Sequence, residues 1–180
     1  MENIKCVIVG DGTVGKTSLL INFTSDRFST DYVPTIFDNY QSNILVNSKP
    51  ITLNLWDTAG QEEFDKIRPI SYRNTDIFII CYSVNDIKSL NNIFNKWIPE
   101  LTFYCPDIPY ILVGTKVDLK FSKPDSYYID IDIVKNKSNK NVFECSSKTK
   151  YNVKKIFNEA VIIGLLNREK IKKKNNCIIF

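Results

Sequence analysis

Gly10, Gly15, Lys16 and Thr17, within the stretch GDGTVGKT at residues 10–17, could hold phosphate. Two glycines frame four residues, and a lysine and a threonine follow at once. Backbone N–H groups in such a loop can turn inward around phosphate oxygens, and a helix beginning near Gly15 adds the positive end of its dipole. Lys16 can reach the outer phosphates, and the Thr17 hydroxyl can bind Mg²⁺. Gly12 leaves room beside a terminal phosphate, and Thr13, Val14 and Ser18 complete the cradle. A strand-to-helix turn with no ligand has the same local composition, so residues elsewhere in the chain must decide.

Two further clusters bear on that choice. TKVD at residues 115–118 follows the apolar run YILVG, at a strand end where open α/β sheets bind ligands. Asp118 can accept hydrogen bonds from the ring N–H and the exocyclic amine of guanine, with the Lys116 stem along the base. Adenine offers no such pair, and each bond left unmade at a buried carboxylate costs roughly 1–3 kcal/mol. WDTAGQE at residues 56–62 ends an alternating segment. Asp57 is suited to hold Mg²⁺ through a water, Gly60 to let the backbone approach a terminal phosphate as only a residue without Cβ can, and Gln61 to orient an attacking water, with Ala59 beside them among the nucleotide-binding residues. Together these make a guanine-nucleotide site; the ATPase or kinase alternative is opposed by TKVD.

The elements that must position these residues follow from periodicity. CVIVG, IFIICYS and YILVGT read as buried strands, with NVFECSS as a last one. YQSNILV and ITLNLW alternate across the turn-like NSKP and read as a hairpin. TSLLINF has helical spacing. Ile87, Leu90, Phe94, Trp97 and Leu101 recur at three- and four-residue steps, as do Ile156, Phe157, Ala160, Val161 and Leu165. Strands separated by helical segments predict an α/β fold, a mostly parallel sheet with helices on both faces. YYIDIDIVKNK alternates like a strand, and KNKSNKN at 135–141 reads as an exposed polar loop.

Bulk properties fit this. A chain of 180 residues suits one domain, and 43% apolar with 24% charged residues is ordinary for a globular protein. Five cysteines without CxxC spacing, and no histidine, give no metal-ligand motif and suit a reducing compartment. No apolar run approaches the roughly 18 residues of a membrane span, and the apolar part of MENIKCVIVG is short for a signal peptide. The net charge of +4 resides in residues 168–180, where five basic residues face only Glu169. The rest is neutral, which argues against a broad nucleic-acid-binding face.

GDGTVGKT, YVPTIFDNY, WDTAGQE, TKVD and ECSSK stand in the order and spacing of small GTPases of the Ras superfamily, which this sequence resembles from about Ile4 onward. YVPTIFDNY and QEEFDKIRPISY are more similar to the Rho family, Rac type, than to Ras or Rab proteins. The resemblance implies a phosphate-loop NTPase G domain over residues 1–167. Its sheet should have six strands, mostly parallel with one antiparallel edge strand, and two mobile segments near 28–40 and 59–73. It implies that Thr35 binds Mg²⁺ and the terminal phosphate of GTP. By the same resemblance Phe28 packs edge-on against guanine, Tyr32 closes over the phosphates, and Ser146, Ser147 and Lys148 line the base pocket. Gln61, Lys16 and Thr35 would then be the catalytic residues. Val33 stands where Gα subunits carry an arginine, so intrinsic hydrolysis is expected to be slow, on the order of 10⁻⁴ s⁻¹, and to need a GTPase-activating protein. Exchange factors, effectors and a GDP-dissociation inhibitor are the other implied partners. A GTP-loaded binding module with negligible hydrolysis is the alternative, opposed by Gly12, Ala59 and Gln61.

The ending CIIF fits a C-a-a-X prenylation site at Cys177, its Phe favouring geranylgeranyl, with KIKKKNN just upstream. Lipid plus lysines is a two-signal anchor for an anionic leaflet. Residues 168–180 are thus expected to be a flexible polybasic tail, and the protein to sit on the cytoplasmic face of a cell membrane with a cytosolic pool. Two features depart from the Rho pattern. Only Leu119 to Phe143 separates TKVD from ECSS, too little for the short additional helix Rho proteins carry there, and Thr13 replaces a usual alanine. The family position of residues 127–139 implies a helix where alternation suggests a strand.

Overall fold

In the computed structural model, residues 2–28, 35, 37–46, 48–123 and 126–176 are described. Tyr32 and Cys177 lie outside them. Six strands form one sheet in the order β2-β3-β1-β4-β5-β6. They are β1 (Glu2–Gly10), β2 (Phe37–Val46), β3 (Lys49–Thr58), β4 (Ile77–Ser83), β5 (Tyr110–Thr115) and β6 (Val142–Glu144). β2 and β3 pair antiparallel, from Phe37 opposite Thr58 to Val46 opposite Lys49, which is the expected hairpin. All other pairings are parallel. The central strands β1 and β4 are buried on both faces, which is why their sequences are continuous apolar runs.

Alternate residues of β1 feed two cores. Ile4, Cys6 and Ile8 pack with Leu19 and Leu20 of α1 (Lys16–Ser25) and with Phe157 and Ala160, while Val7 and Val9 pack with Trp97, Leu101 and Val134. Helices therefore cover both faces, as period-two burial on a central strand requires.

The helix expected around residues 87–101 has three parts: α2 (Ile87–Asn92), a π turn (Ile93–Trp97) and α3 (Ile98–Tyr104). Asp86 caps its start, its carboxylate accepting from the Lys88 N–H at 3.0 Å. Leu90, Ile93, Trp97 and Leu101 are buried, whereas Ile87, expected on the inner face, is exposed. Pro99 has no N–H to continue an α ladder, and the wider turn before it shifts the inward face.

Within residues 127–139 the structure has a helix, over Ile131–Ser138, and no strand. α5 (Ile131–Ser138) follows the short α4 (Leu119–Ser122). The Asp130 carboxylate caps α5 by accepting from the Asp132 N–H at 2.9 Å, and Val134 is buried beneath it. The alternation of Ile129, Ile131 and Ile133 therefore marks no strand: only Ile129 is buried, its N–H bonded to the Val84 carbonyl at 2.8 Å. The polar stretch 135–141, read as a loop, is helical through Ser138.

α6 (Val153–Asn176) closes the fold, with Ile156, Phe157, Ala160 and Val161 buried and Leu165 against them as expected. It runs on past residue 167, so the stretch expected to be flexible from residue 168 is helical to Asn176. Arg168 pairs with Asp76 at the head of β4 through two bonds. No helix among the described residues is long and apolar enough to cross a membrane.

Candidate functional site

A cleft of about 730 Å³ opens beyond the C-terminal ends of β1, β3 and β5, where the topology of the sheet leaves a crevice. At its floor the chain leaves β1 at Gly10, turns through residues 11–15 and enters α1. Gly15, at φ 101°, caps α1 in a left-handed conformation that suits a residue without Cβ. Lys16 is buried, its ammonium donating to the Gly10 and Asp11 carbonyls at 2.8 Å each. Burial lowers its pKa, against the opposing charge of Asp57.

Three hydroxyl or carboxylate oxygens meet beside Lys16. The Thr17 hydroxyl donates to Asp57 Oδ2 at 2.5 Å and lies 2.8 Å from the Thr35 hydroxyl. Asp57 is fully buried, and its Oδ1 has no hydrogen-bond partner among the described residues. Burial raises its pKa; the Thr17 bond and the Lys16 charge oppose the rise. An unpartnered buried carboxylate oxygen amid hydroxyls is a hard, all-oxygen donor set, which fits Mg²⁺.

The segment after β3 presses on the loop from above. A Cβ built on Gly60 would stand 2.3 Å from the Gly10 carbonyl oxygen and 2.5 Å from the Gly12 nitrogen, so only glycine fits there. A Cβ at Gly12 would lie 3.9 Å from Gln61 Cγ, and Gln61 Oε1 is buried without a partner among the described residues. Gln61 thus presents an unsatisfied amide oxygen beside the phosphate loop.

At the far end, Ser146 donates to Asp118 Oδ1 at 2.6 Å and accepts from the Thr149 N–H at 3.1 Å, which fixes the carboxylate. Lys116 donates to the Thr13 carbonyl at 2.8 Å, and both residues are left-handed, at φ 62° and 63°. Burial lowers the Lys116 pKa, against Asp86 and Asp118. Phe28, 43% exposed, lines the cleft with Ser147 and Lys148.

Gly12, Thr13, Gly15, Lys16, Thr17, Ser18, Phe28, Thr35, Gly60, Gln61, Lys116, Asp118, Ser147 and Lys148 thus line one cleft. Four expected residues do not line it, and the first, Asp57, is fully buried beneath Thr17. Val14 is core, its carbonyl taking the Thr115 hydroxyl. Ala59 is buried, its carbonyl held by Arg68 at 2.9 Å, and Ser146 acts through Asp118. Ile21, Thr58, Thr115 and Leu119 also line the cleft. Ile21 and Leu119 lie outside the motifs, and Thr58 and Thr115, though inside WDTAGQE and TKVD, carried no assigned role because each reads as the last residue of a strand. Sequence reasoning also missed Asp11, whose carboxylate accepts from Trp97 Nε1 at 2.8 Å and Asn92 Nδ2 at 2.7 Å. The arrangement can hold a polyphosphate along α1, a hard cation at Thr17, Thr35 and Asp57, and a base against Asp118. Comparison with known families finds that residues 5–163 match the model of the Ras family.

Proposed function

This chain belongs to the Ras family, whose members are small GTPases that bind GTP and GDP and signal through exchange factors, activating proteins and effectors, and from that premise we propose that it is a Rho-type, Rac-like switch that hydrolyses GTP. The observation that supports hydrolysis is the unpartnered Asp57 Oδ1 beside the Thr17 and Thr35 hydroxyls, with Gln61 Oε1 equally unpartnered nearby, and the Rho-type assignment rests on the resemblance of YVPTIFDNY and QEEFDKIRPISY.

In this reading the residue 10–17 loop and Lys16 bind the outer phosphates, and Asp118, with Lys116, Ser147 and Lys148 around the base, selects guanine. Thr17, Thr35 and Asp57 would hold Mg²⁺, which would neutralise charge on the phosphates. Gln61 orients the attacking water; Gly60 and Thr35 read the third phosphate and are released once it leaves. Two chain segments then change together, which is what a partner senses. With no arginine in cis, turnover on the order of 10⁻⁴ s⁻¹ suits timing rather than metabolism. Geranylgeranylation at Cys177 and the adjoining lysines hold the protein at the cytoplasmic face of a cell membrane, with a cytosolic pool available to a GDP-dissociation inhibitor.

Single-turnover hydrolysis tests the reading: wild type should convert bound GTP slowly and faster with a Rho-type activating protein, while Gln61→Leu should stall. Equal rates for the two proteins would remove Gln61 from the mechanism, and failure to retain GTP would remove the function.

A further inference from the structure

We infer that Trp97 is a positioning residue that ties the phosphate loop to the segment carrying Gln61, so that the two hold one geometry during hydrolysis. The coupling rests on the GTPase reading above and assigns a role to a residue that does not line the cleft.

Trp97 is fully buried, and both its polar edge and its ring are engaged. The indole N–H donates to Asp11 Oδ1 at 2.8 Å, and Asn92 donates to Oδ2 at 2.7 Å. The Asp11 carbonyl in turn receives the Lys16 ammonium. On the ring lies the Arg68 guanidinium, its Cζ 4.5 Å from a ring centroid. Arg68 donates to the Ala59 carbonyl at 2.9 Å, and the next residue, Gly60, presses on the Gly10–Gly12 backbone. The contacts close a circuit: Asp11, Trp97, Arg68, Ala59, Gly60 and back to Asp11.

Carboxylates lock that circuit. Glu100 accepts from Arg68 Nε at 3.0 Å and from Nη2 at 2.9 Å, while Asp65 accepts from Nη2 at 2.5 Å and from Lys96 at 3.0 Å. Burial works against the Arg68 charge, but these bonds outweigh it and hold the guanidinium ionised.

The π turn explains how one helix reaches Asp11 twice. Five residues apart in an α-helix, Asn92 and Trp97 would point about 140° apart. An i→i+5 turn over Ile93–Trp97 brings them onto one face, where both meet the same carboxylate. A tryptophan that merely filled the core would need neither an indole donor nor that shift.

The test uses full-length protein loaded with Mg²⁺-GTP or Mg²⁺-GDP. Trp97→Phe keeps a ring for Arg68 but removes the donor to Asp11. It should speed GDP release about tenfold, as loss of one bond to a charged group implies, and slow single-turnover hydrolysis. Arg68→Lys should slow hydrolysis too, and the double variant should be no slower than the worse single one, because both break one circuit. Ile93→Val, a core change on the same turn, should lower Tm yet leave release and hydrolysis as in wild type. If Trp97→Phe fails to fold, Asp11→Ala, which removes the acceptor of the Trp97 N–H, carries the same expectation. Wild-type release and hydrolysis in Trp97→Phe, or additive losses in the double variant, overturn the coupling alone. A wild-type protein that binds no GTP overturns the GTPase reading, and the coupling with it.

Discussion

Replacing Gly60 by alanine puts a number on how closely the segment after β3 must approach the phosphate loop. The new Cβ would meet Gly10 O at 2.3 Å, Asp11 C at 2.4 Å and Gly12 N at 2.5 Å, all backbone atoms of a loop tied down by Lys16 and Asp11. Ordinary contacts begin near about 3.5 Å, so the segment must retreat by roughly 1 Å. Gln61 is the neighbouring residue and moves with it. Misplacing a reacting group by about 1 Å can cost on the order of 10²-fold in rate. Gly60→Ala should therefore slow single-turnover GTP hydrolysis about a hundredfold. Guanine-nucleotide affinity should change far less, because Lys16 and Asp118 are untouched. Phosphate release from preloaded protein, with nucleotide dissociation followed in parallel, measures both. Hydrolysis within twofold of wild type would refute the close approach.

Three other outcomes are expected. Tyr82 is wholly buried with no partner for its hydroxyl among the described residues, so Tyr82→Phe should stabilise the protein by about 1 kcal/mol and raise Tm by roughly 2–4 °C; a lower Tm in saturating Mg²⁺-GDP would mean that the hydroxyl is satisfied. Burial pushes the Asp65 carboxyl up, but its bonds to Arg68 and Lys96 outweigh that and hold it below its ordinary value. Its contribution to stability is then present above the unfolded carboxylate pKa of about 3.9 and fades as pH falls through the folded value. Asp65→Asn should lower Tm at pH 7 and flatten the loss below pH about 4, as thermal melts across that range would read. Cys177→Ser should shift the protein from membrane to soluble fractions on cell fractionation, and retention at the membrane would exclude the lipid.

The site was legible in the sequence where a motif sits at a fixed offset from a strand end. The loop after β1, Asp57 at the end of β3 and Asp118 after β5 fall where apolar runs stop, and parallel pairing brings those ends together. Periodicity also found the hairpin and the inner face of α6. It failed where a local rule was bent by one residue. Ile87, the first residue of α2, is exposed while Ile93 at the start of the π turn is buried, and the capping carboxylate of Asp130 won over the alternation of isoleucines after it. Contacts that cross the fold left no local trace at all. Asp11 and Trp97 are 86 residues apart, and Trp97 reads in sequence as one more apolar step on a helix.

α6 runs without a break from Val153 to Asn176, about 36 Å at 1.5 Å per residue. Its root, around Phe157, is packed against β1, and Arg168 is clamped to Asp76 part-way along. Such a rod bends little over that distance, so torque applied at its outer end reaches the sheet rather than dissipating in slack chain. Whatever grips the last turn also sets the compass bearing of the whole domain, and with it the direction in which the cleft looks.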